Sequence, residues 1–210
     1  MKIKALIFDV GGILRLGKKT PTYYKGKSRN LGVHEYISRK LKISLDQYFD
    51  SIDTVYAKSI EGKISEKKAL KIMARNLKTT SKKLKEFYKQ AYKENFKLNK
   101  ELLKFAFKKK KQGYKIAILS DQWHLSKKIL VSKDFYNKFD ATIVSCDVGV
   151  RKPNPGIYKL VLKKLKLSAK ETIFIDNQEW NTKPAEELGM KTVLFKNNKQ
   201  AIKEIEKLLR

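Results

Sequence analysis

The chain has 210 residues, of which 49 are Lys or Arg and 21 are Asp or Glu, for a formal net charge of +28. An apolar fraction of 41% with four Pro and ten Gly is enough for a hydrophobic core and excludes a collagenous or disordered chain. The longest apolar runs, such as 5–8 and 116–119, fall far short of the roughly 20 residues a membrane span needs, and the N-terminal apolar stretch runs into Asp9 too soon for a signal peptide.

The run Ile3 to Val10 reads as a buried strand that delivers Asp9 to the tight turn Gly11-Gly12. From Leu16 to Asn30 the composition turns to Lys, Gly, Thr, Pro and Tyr, the signature of a loop or flap. Residues from Val33 to Phe96 show helical periodicity and no strand. The spacing predicts helices over Val33–Leu41, Leu45–Glu61, Ser65–Asn76 and Ser81–Asn95, with Ser65 and Ser81 as start signals. After Asn99 helix and strand alternate. Helices are predicted at 101–111, 125–131, 155–165 and around 184–188, and strands at 115–119, 141–145, 172–175 and 192–195. Short strands separated by helices imply a parallel sheet with helices on both faces. The expected class is therefore α/β, a Rossmann-like core over 1–15 and 97–210 interrupted by an inserted α-helical cap with its flap over 16–96.

In such sheets ligands sit beyond the carboxyl ends of the strands, where this chain places Asp9, Ser120, Lys152 and Asp176. Four segments carry them: Ile7-Phe8-Asp9-Val10-Gly11-Gly12, Ile118-Leu119-Ser120-Asp121, Arg151-Lys152-Pro153-Asn154-Pro155, and Phe174-Ile175-Asp176-Asn177 with Asn181 downstream. In type, order and spacing these segments resemble the motifs of the haloacid dehalogenase-like hydrolase superfamily, in the subgroup with a helical cap between the first two motifs. The resemblance covers nearly the whole chain. It implies a phosphatase in which Asp9 is the nucleophile, forming an aspartyl-phosphate that splits one hard step into two easier ones. It further implies Mg²⁺ held by Asp9, the Gly11 carbonyl and Asp176, with Asn177 reaching it through water. Ser120, Asp121, Gly12 and Lys152 would bind the substrate phosphate, with Lys152 stabilising the charge that develops. A small phosphorylated metabolite and a cytoplasmic setting complete the expectation.

One departure bears on the chemistry. Most phosphatases of the superfamily carry a second Asp two residues after the nucleophile, where this chain has Gly11. Loss of a positioned general acid-base costs about 10²–10⁴-fold, most severely for poor leaving groups. The same absence fits the L-2-haloacid dehalogenase branch, in which Asp attacks carbon without a metal, although Gly11-Gly12-Ile13 stands where that branch usually has Tyr-Gly-Thr. A third reading, a polyanion-binding protein on the same fold, draws on the net charge. Against it, the excess is nearly all Lys, with six Arg (15, 29, 39, 75, 151 and 210), whereas base recognition leans on Arg, so nucleic acid is not favoured.

Other residues carry lesser expectations. Trp123 and His124 are candidates for the rim of the substrate opening, and Arg15, Tyr23 and Tyr24 for contacts from the flap. His34 reads as a cap-surface residue and Tyr48, Phe49 and Tyr56 as cap core. Cys146, the single cysteine, reads as a small core residue; it excludes an internal disulfide and a site built on several cysteines, and fits a reducing compartment.

Overall fold

The computed structural model describes residues 2–17, 32–130 and 132–210. Its centre is a five-stranded parallel sheet built from β1 (Ala5–Phe8), β4 (Lys115–Ser120), β5 (Ala141–Val144), β6 (Thr172–Asp176) and β7 (Lys191–Leu194), in the order β5-β4-β1-β6-β7. The expected α/β class is thus the observed one. β1 is the middle strand, with Phe8 in register with Ile118 on one side and Ile175 on the other.

The alternation of side chains divides the core into two. Leu6 and Phe8 face the same side as Ile116, Ile118, Ile173 and Ile175, where α5 (Lys100–Lys111) and α11 (Asn198–Leu208) add Leu102, Ala106, Ala201 and Ile205. Ala5 and Ile7 face the other side with Ala117, Leu119 and Phe174, covered by Ile157, Tyr158 and Val161 of α9 (Pro155–Leu165) and by Ala185 of α10 (Glu179–Glu187). Because both faces are covered, β1 is wholly buried, and this is why its sequence is a continuous apolar run.

Between β1 and β4 the chain forms α1 (Val33–Leu41), α2 (Leu45–Ile60), α3 (Glu66–Asn76) and α4 (Ser81–Asn95). α1 packs on α2 and α4, and α3 packs on the same two helices. Their starts are capped by side chains: Ser44 accepts from the Gln47 N–H, and Ser65 from Lys68. For α4 the cap is Thr80, not Ser81, which is the first helical residue.

Several expectations need correction. β2 (Arg15–Gly17) and β3 (Phe96–Leu98) form a two-stranded antiparallel ribbon at the two ends of the helical block, where the sequence suggests only flap and helix. Strands of three residues are too short to display a period of two. α10 begins five residues earlier than expected, and Pro184 lies inside it. Its first turn buries polar side chains, Asn181 and Thr182, and exposes Trp180, and so has no apolar stripe to betray it. α11 follows the last predicted element; its signal is the Asn197-x-x-Gln200 capping box ahead of Ala201 and Ile205. Two short helices, α6 (His124–Leu130) and α7 (Lys133–Tyr136), connect β4 to β5, and one turn of helix, α8 (Ser145–Val148), follows β5. Among the described residues no helix is long and apolar enough to cross a membrane.

Trp123, expected at the substrate opening, is instead fully buried where the helical block meets the core. Its indole donates to the Tyr92 hydroxyl at 3.1 Å, and its ring meets Tyr88 and Tyr56 edge to face at 4.9 and 5.9 Å between centroids. Trp123→Ala should therefore cost about 3–5 kcal/mol by leaving a large cavity at this seam. Urea unfolding followed by circular dichroism measures it; a loss below 1 kcal/mol, a size ordinary for peripheral packing, would contradict this account.

Candidate functional site

The carboxyl ends of the sheet strands bring the candidate residues together. Asp9 follows β1, Ser120 ends β4 and Asp176 ends β6; all three are buried, Asp9 with 8% of its surface exposed and Asp176 with none. Lys152, from the loop between α8 and α9, reaches across to them. Its Nζ lies 2.6 Å from Asp176 Oδ2 and 3.3 Å from Asp9 Oδ1, and 5.5 Å above the ring of Phe174. One ammonium thus sits between two carboxylates that come from adjacent strands.

Burial opposes the charge on Lys152, but the carboxylates of Asp9, Asp176 and Asp121 outweigh it and hold the ammonium above the ordinary lysine range. For Asp9 the balance falls the other way. Burial raises its carboxyl above the usual range, Lys152 pulls it down, and Asp176 adds to the rise. Asp176 is held on several sides: Asn181 Nδ2 lies 3.2 Å from both its oxygens, and the Gln178 N–H donates to Oδ1 at 2.8 Å. Asn181 is in turn fixed by Tyr158, whose hydroxyl donates to the Asn181 carbonyl at 2.8 Å. The early turn of α10, missed in the sequence, is what delivers Gln178 and Asn181 to this carboxylate.

Asp121, the residue after Ser120, is half-buried. Its Oδ1 accepts from the Lys152 backbone N–H at 3.1 Å, tying the end of β4 to the lysine loop. Burial, more than any other cause, pushes the Asp121 carboxyl up to about 6 against the pull of Lys152. The Ser120 hydroxyl oxygen accepts from Gln122 Nε2 at 3.1 Å, and its own O–H is turned to the Asp9 carboxylate, whose ionised form it favours. Gly12 has φ +80, and a Cβ there would stand 2.6 Å from Asn177 Nδ2, so this turn needs glycine on both conformational and steric grounds. Above the carboxylates a cleft of about 490 Å³ is lined by Asp9, Gly11, Gly12 and Asn177 on one side and by Gly17, Val33 and Phe96 on the other. Gly17 and Phe96, both from the ribbon, are lining residues that the sequence does not single out.

The donor set suits a hard divalent cation. Such ions take oxygen ligands, above all carboxylates. Asp9 Oδ1 is buried without any hydrogen-bond partner, although it lies close to Lys152, so it is an oxygen placed to bind something more. Asp9 and Asp176 supply the carboxylates and Gly11 borders the same cleft, so Mg²⁺ fits the residues present.

The lesser expectations divide. His34 is half-buried: its ring packs against Tyr48, Phe49 and Tyr56, and burial lowers its imidazole to about 4. Tyr48 is fully buried. Cys146 is buried and free. Arg15 lies on β2 with its Nε buried and unpartnered. Tyr23 and Tyr24 lie outside the described residues. His124 is half-buried at the start of α6, away from the residues that line the cleft.

Comparison with known proteins agrees with this architecture. A protein-family description, haloacid dehalogenase-like hydrolase, matches residues 3–189. Bifunctional epoxide hydrolase 2 of Sus scrofa is 26% identical over 99% of this chain, which spans only 39% of that protein. Glyceraldehyde 3-phosphate phosphatase of Methanocaldococcus jannaschii is 34% identical over 40% of the chain and 38% of its own length. Among solved structures, a predicted HAD-like hydrolase of Porphyromonas gingivalis superposes with a TM-score of 0.77 at 22% identity, covering 100% of this chain and 99% of that one. A HAD-family enzyme of Bacteroides thetaiotaomicron, solved with magnesium and inorganic phosphate, superposes with a TM-score of 0.73 at 21% identity, covering 92% and 94%.

The raised Asp121 carboxyl has a consequence for stability. Between 3.8 and about 6 the folded chain keeps a proton that the unfolded chain has released, so this group makes stability fall as pH rises through that window. Asp121→Asn keeps a side-chain oxygen for the Lys152 N–H and should flatten that part of the profile. Urea denaturation of both forms at pH values on either side of the window tests it; identical profiles would show that Asp121 has an ordinary carboxyl.

Proposed function

We propose that this chain, which belongs to the haloacid dehalogenase-like hydrolase family, is a Mg²⁺-dependent phosphatase that acts on a small phosphorylated metabolite in the cytoplasm. The observation that carries the reading is the buried, unpartnered Asp9 Oδ1 beside Lys152 at the floor of the cleft. A carboxylate has two oxygens, so Asp9 can ligate a cation through one and attack through the other. The phosphatase name of the archaeal relative and the magnesium and phosphate in the Bacteroides complex support the same chemistry.

In this mechanism Asp9 attacks phosphorus, an acyl-phosphate bond forms, and the bond to the leaving oxygen breaks; water then cleaves the new phosphorus–oxygen bond and restores the carboxylate. Lys152 carries a fixed positive charge to the phosphoryl oxygens, which lowers the barrier where negative charge accumulates. The O–H of Ser120 turns from Asp9 to one of those oxygens, while the Gly12 N–H stays with the Arg15 carbonyl at 2.8 Å and Gly12 serves the phosphate by having no side chain in its way. Asp9, the Gly11 carbonyl and Asp176, with Asn177 alongside, would hold Mg²⁺, which would supply charge neutralisation for the approach of one anion to another. Asn181 and the Gln178 N–H keep Asp176 in place for that task. Since Gly11 has no side chain to protonate the leaving oxygen, water must do so, and substrates with good leaving groups turn over faster.

Residues 16–96 act as the cap in this reading, with 1–15 and 97–210 as the catalytic core. Val33 and Phe96 line the cleft opposite Asp9, and closing them over a bound substrate excludes water and selects by shape.

Hydrolysis of p-nitrophenyl phosphate, whose leaving group needs little protonation, tests the proposal directly. Activity should require Mg²⁺ and fall by at least about a thousandfold in Asp9→Asn, as when other enzymes lose a nucleophile. Activity that is equal in the variant, or absent from the native protein at high concentration with Mg²⁺, would overturn the reading.

A further inference from the structure

Outside the cleft, one group of three side chains among the described residues has the makings of a second metal centre. The imidazole of His124, the thiol of Cys146 and the carboxylate of Asp147 bring one nitrogen, one sulfur and one oxygen within 4.8 Å of one another. His124 is the first residue of α6, and Cys146 and Asp147 lie on α8, so the donors come from two elements that follow adjacent parallel strands, β4 and β5. The tertiary fold, not sequence proximity, assembles them.

We propose that His124, Cys146 and Asp147 bind a borderline or soft divalent ion of the Zn²⁺ class, at a site separate from the catalytic carboxylates. The donor types decide the ion. Mg²⁺ takes oxygen ligands in a strict octahedron, whereas Zn²⁺ accepts thiolate, imidazole and carboxylate together in a tetrahedron with bonds of about 2.0–2.3 Å. Donor atoms spaced as these are need only small rotamer changes to meet one ion, and three protein ligands leave a fourth position for water. The His124 ring makes no hydrogen bond to any described residue, so a ring nitrogen is available without breaking an existing contact. Asp147 is already oriented: Lys127 Nζ lies 2.6 Å from Oδ2, and the Cys146 thiol points at Oδ1 at 3.8 Å. On binding, the thiol proton leaves to solvent, a sulfur–metal bond replaces the S–H bond, and Oδ1 turns from the thiol to the ion.

The place of the site gives it a role. Gly62, which follows α2 in the helical block, has φ +66, and a Cβ there would stand 2.1 Å from the Cys146 carbonyl oxygen, so the block rests directly on α8. His124 lies four residues beyond Ser120, and Asp147 five before Lys152. An ion at this point clamps the loop after β4 to the segment that leads to Lys152, beneath the seam with the helical block, and stabilises the native state against unfolding.

Zn²⁺ and Co²⁺ chlorides are the probes. Equilibrium dialysis of the full chain in excess Mg²⁺ should show one Zn²⁺ equivalent retained, also by Asp9→Asn, and Co²⁺ should give a thiolate charge-transfer band. Cys146→Ser should abolish the band, and His124→Ala should weaken Zn²⁺ binding at least about tenfold. Circular dichroism of each variant establishes that it is folded; where one is not, S-alkylation-protected native protein, with Zn²⁺ shielding Cys146 from iodoacetamide, gives the same test. No retained Zn²⁺, retention lost in Asp9→Asn, a cobalt band surviving in folded Cys146→Ser, or alkylation indifferent to Zn²⁺ would each overturn the proposal.

Discussion

Much of the site depends on one buried ammonium. Lys152 has 4% of its surface exposed, and a lone charge so placed would be severely destabilising. It is tolerable because Asp176 and Asp9 both face it, and removing Lys152 would leave two buried carboxylates without a counter-charge. The requirement reaches into the fold: the two carboxylates stand side by side only because β1 and β6 are neighbours in the sheet, and Lys152 arrives only because Asp121 at the end of β4 holds its backbone. The ends of three strands are therefore bound to one point, and the catalytic geometry and the sheet topology impose the same constraint.

Around that point the groups are fixed in layers. Tyr158 holds the Asn181 carbonyl, Asn181 and the Gln178 N–H hold Asp176, and Asp176 holds Lys152. Asp9 alone is left with an oxygen unpartnered. Such asymmetry is costly in a buried site, and it is a reservoir that chemistry draws on: the groups that must stay still are saturated with hydrogen bonds, and the one that must react is not. The aromatic seam of Trp123, Tyr88, Tyr92 and Tyr56 does for the helical block what this chain of contacts does for the carboxylates, setting its position over the cleft with rigid side chains that bury a large area.

The sheet and its ligand-bearing ends were legible because they obey short-range rules. A doubly covered strand must be apolar throughout, as in Ala5 to Phe8, and a carboxylate directly after such a run is placed at the strand's end whatever follows. Thus Asp9, Ser120, Lys152 and Asp176 could be named, and the structure gathers them. What escaped were features with no local signal. β2 and β3 are three residues each and exist only because their partners meet; the first turn of α10 is polar because it serves Asp176, so it lacks the stripe by which helices are found. Trp123 was misplaced for a related reason. A polar-tipped aromatic in a loop segment looks alike whether it meets solvent or another helix, and only the packing of α2 and α4 against it decides that it is enclosed.

By itself, then, the sequence determined the class of fold, the order of the strands of the parallel sheet along the chain, and the kinds of chemical group delivered to one edge of the sheet, since periodicity and residue type act over a few positions of chain. Only the tertiary structure decided which groups touch: that Lys152 lies between Asp9 and Asp176, that Asp121 holds the Lys152 backbone N–H, and that His124 stands beside Cys146 and Asp147. Those contacts join residues far apart in the chain, and their distances follow from strand order and helix packing, which no local pattern encodes.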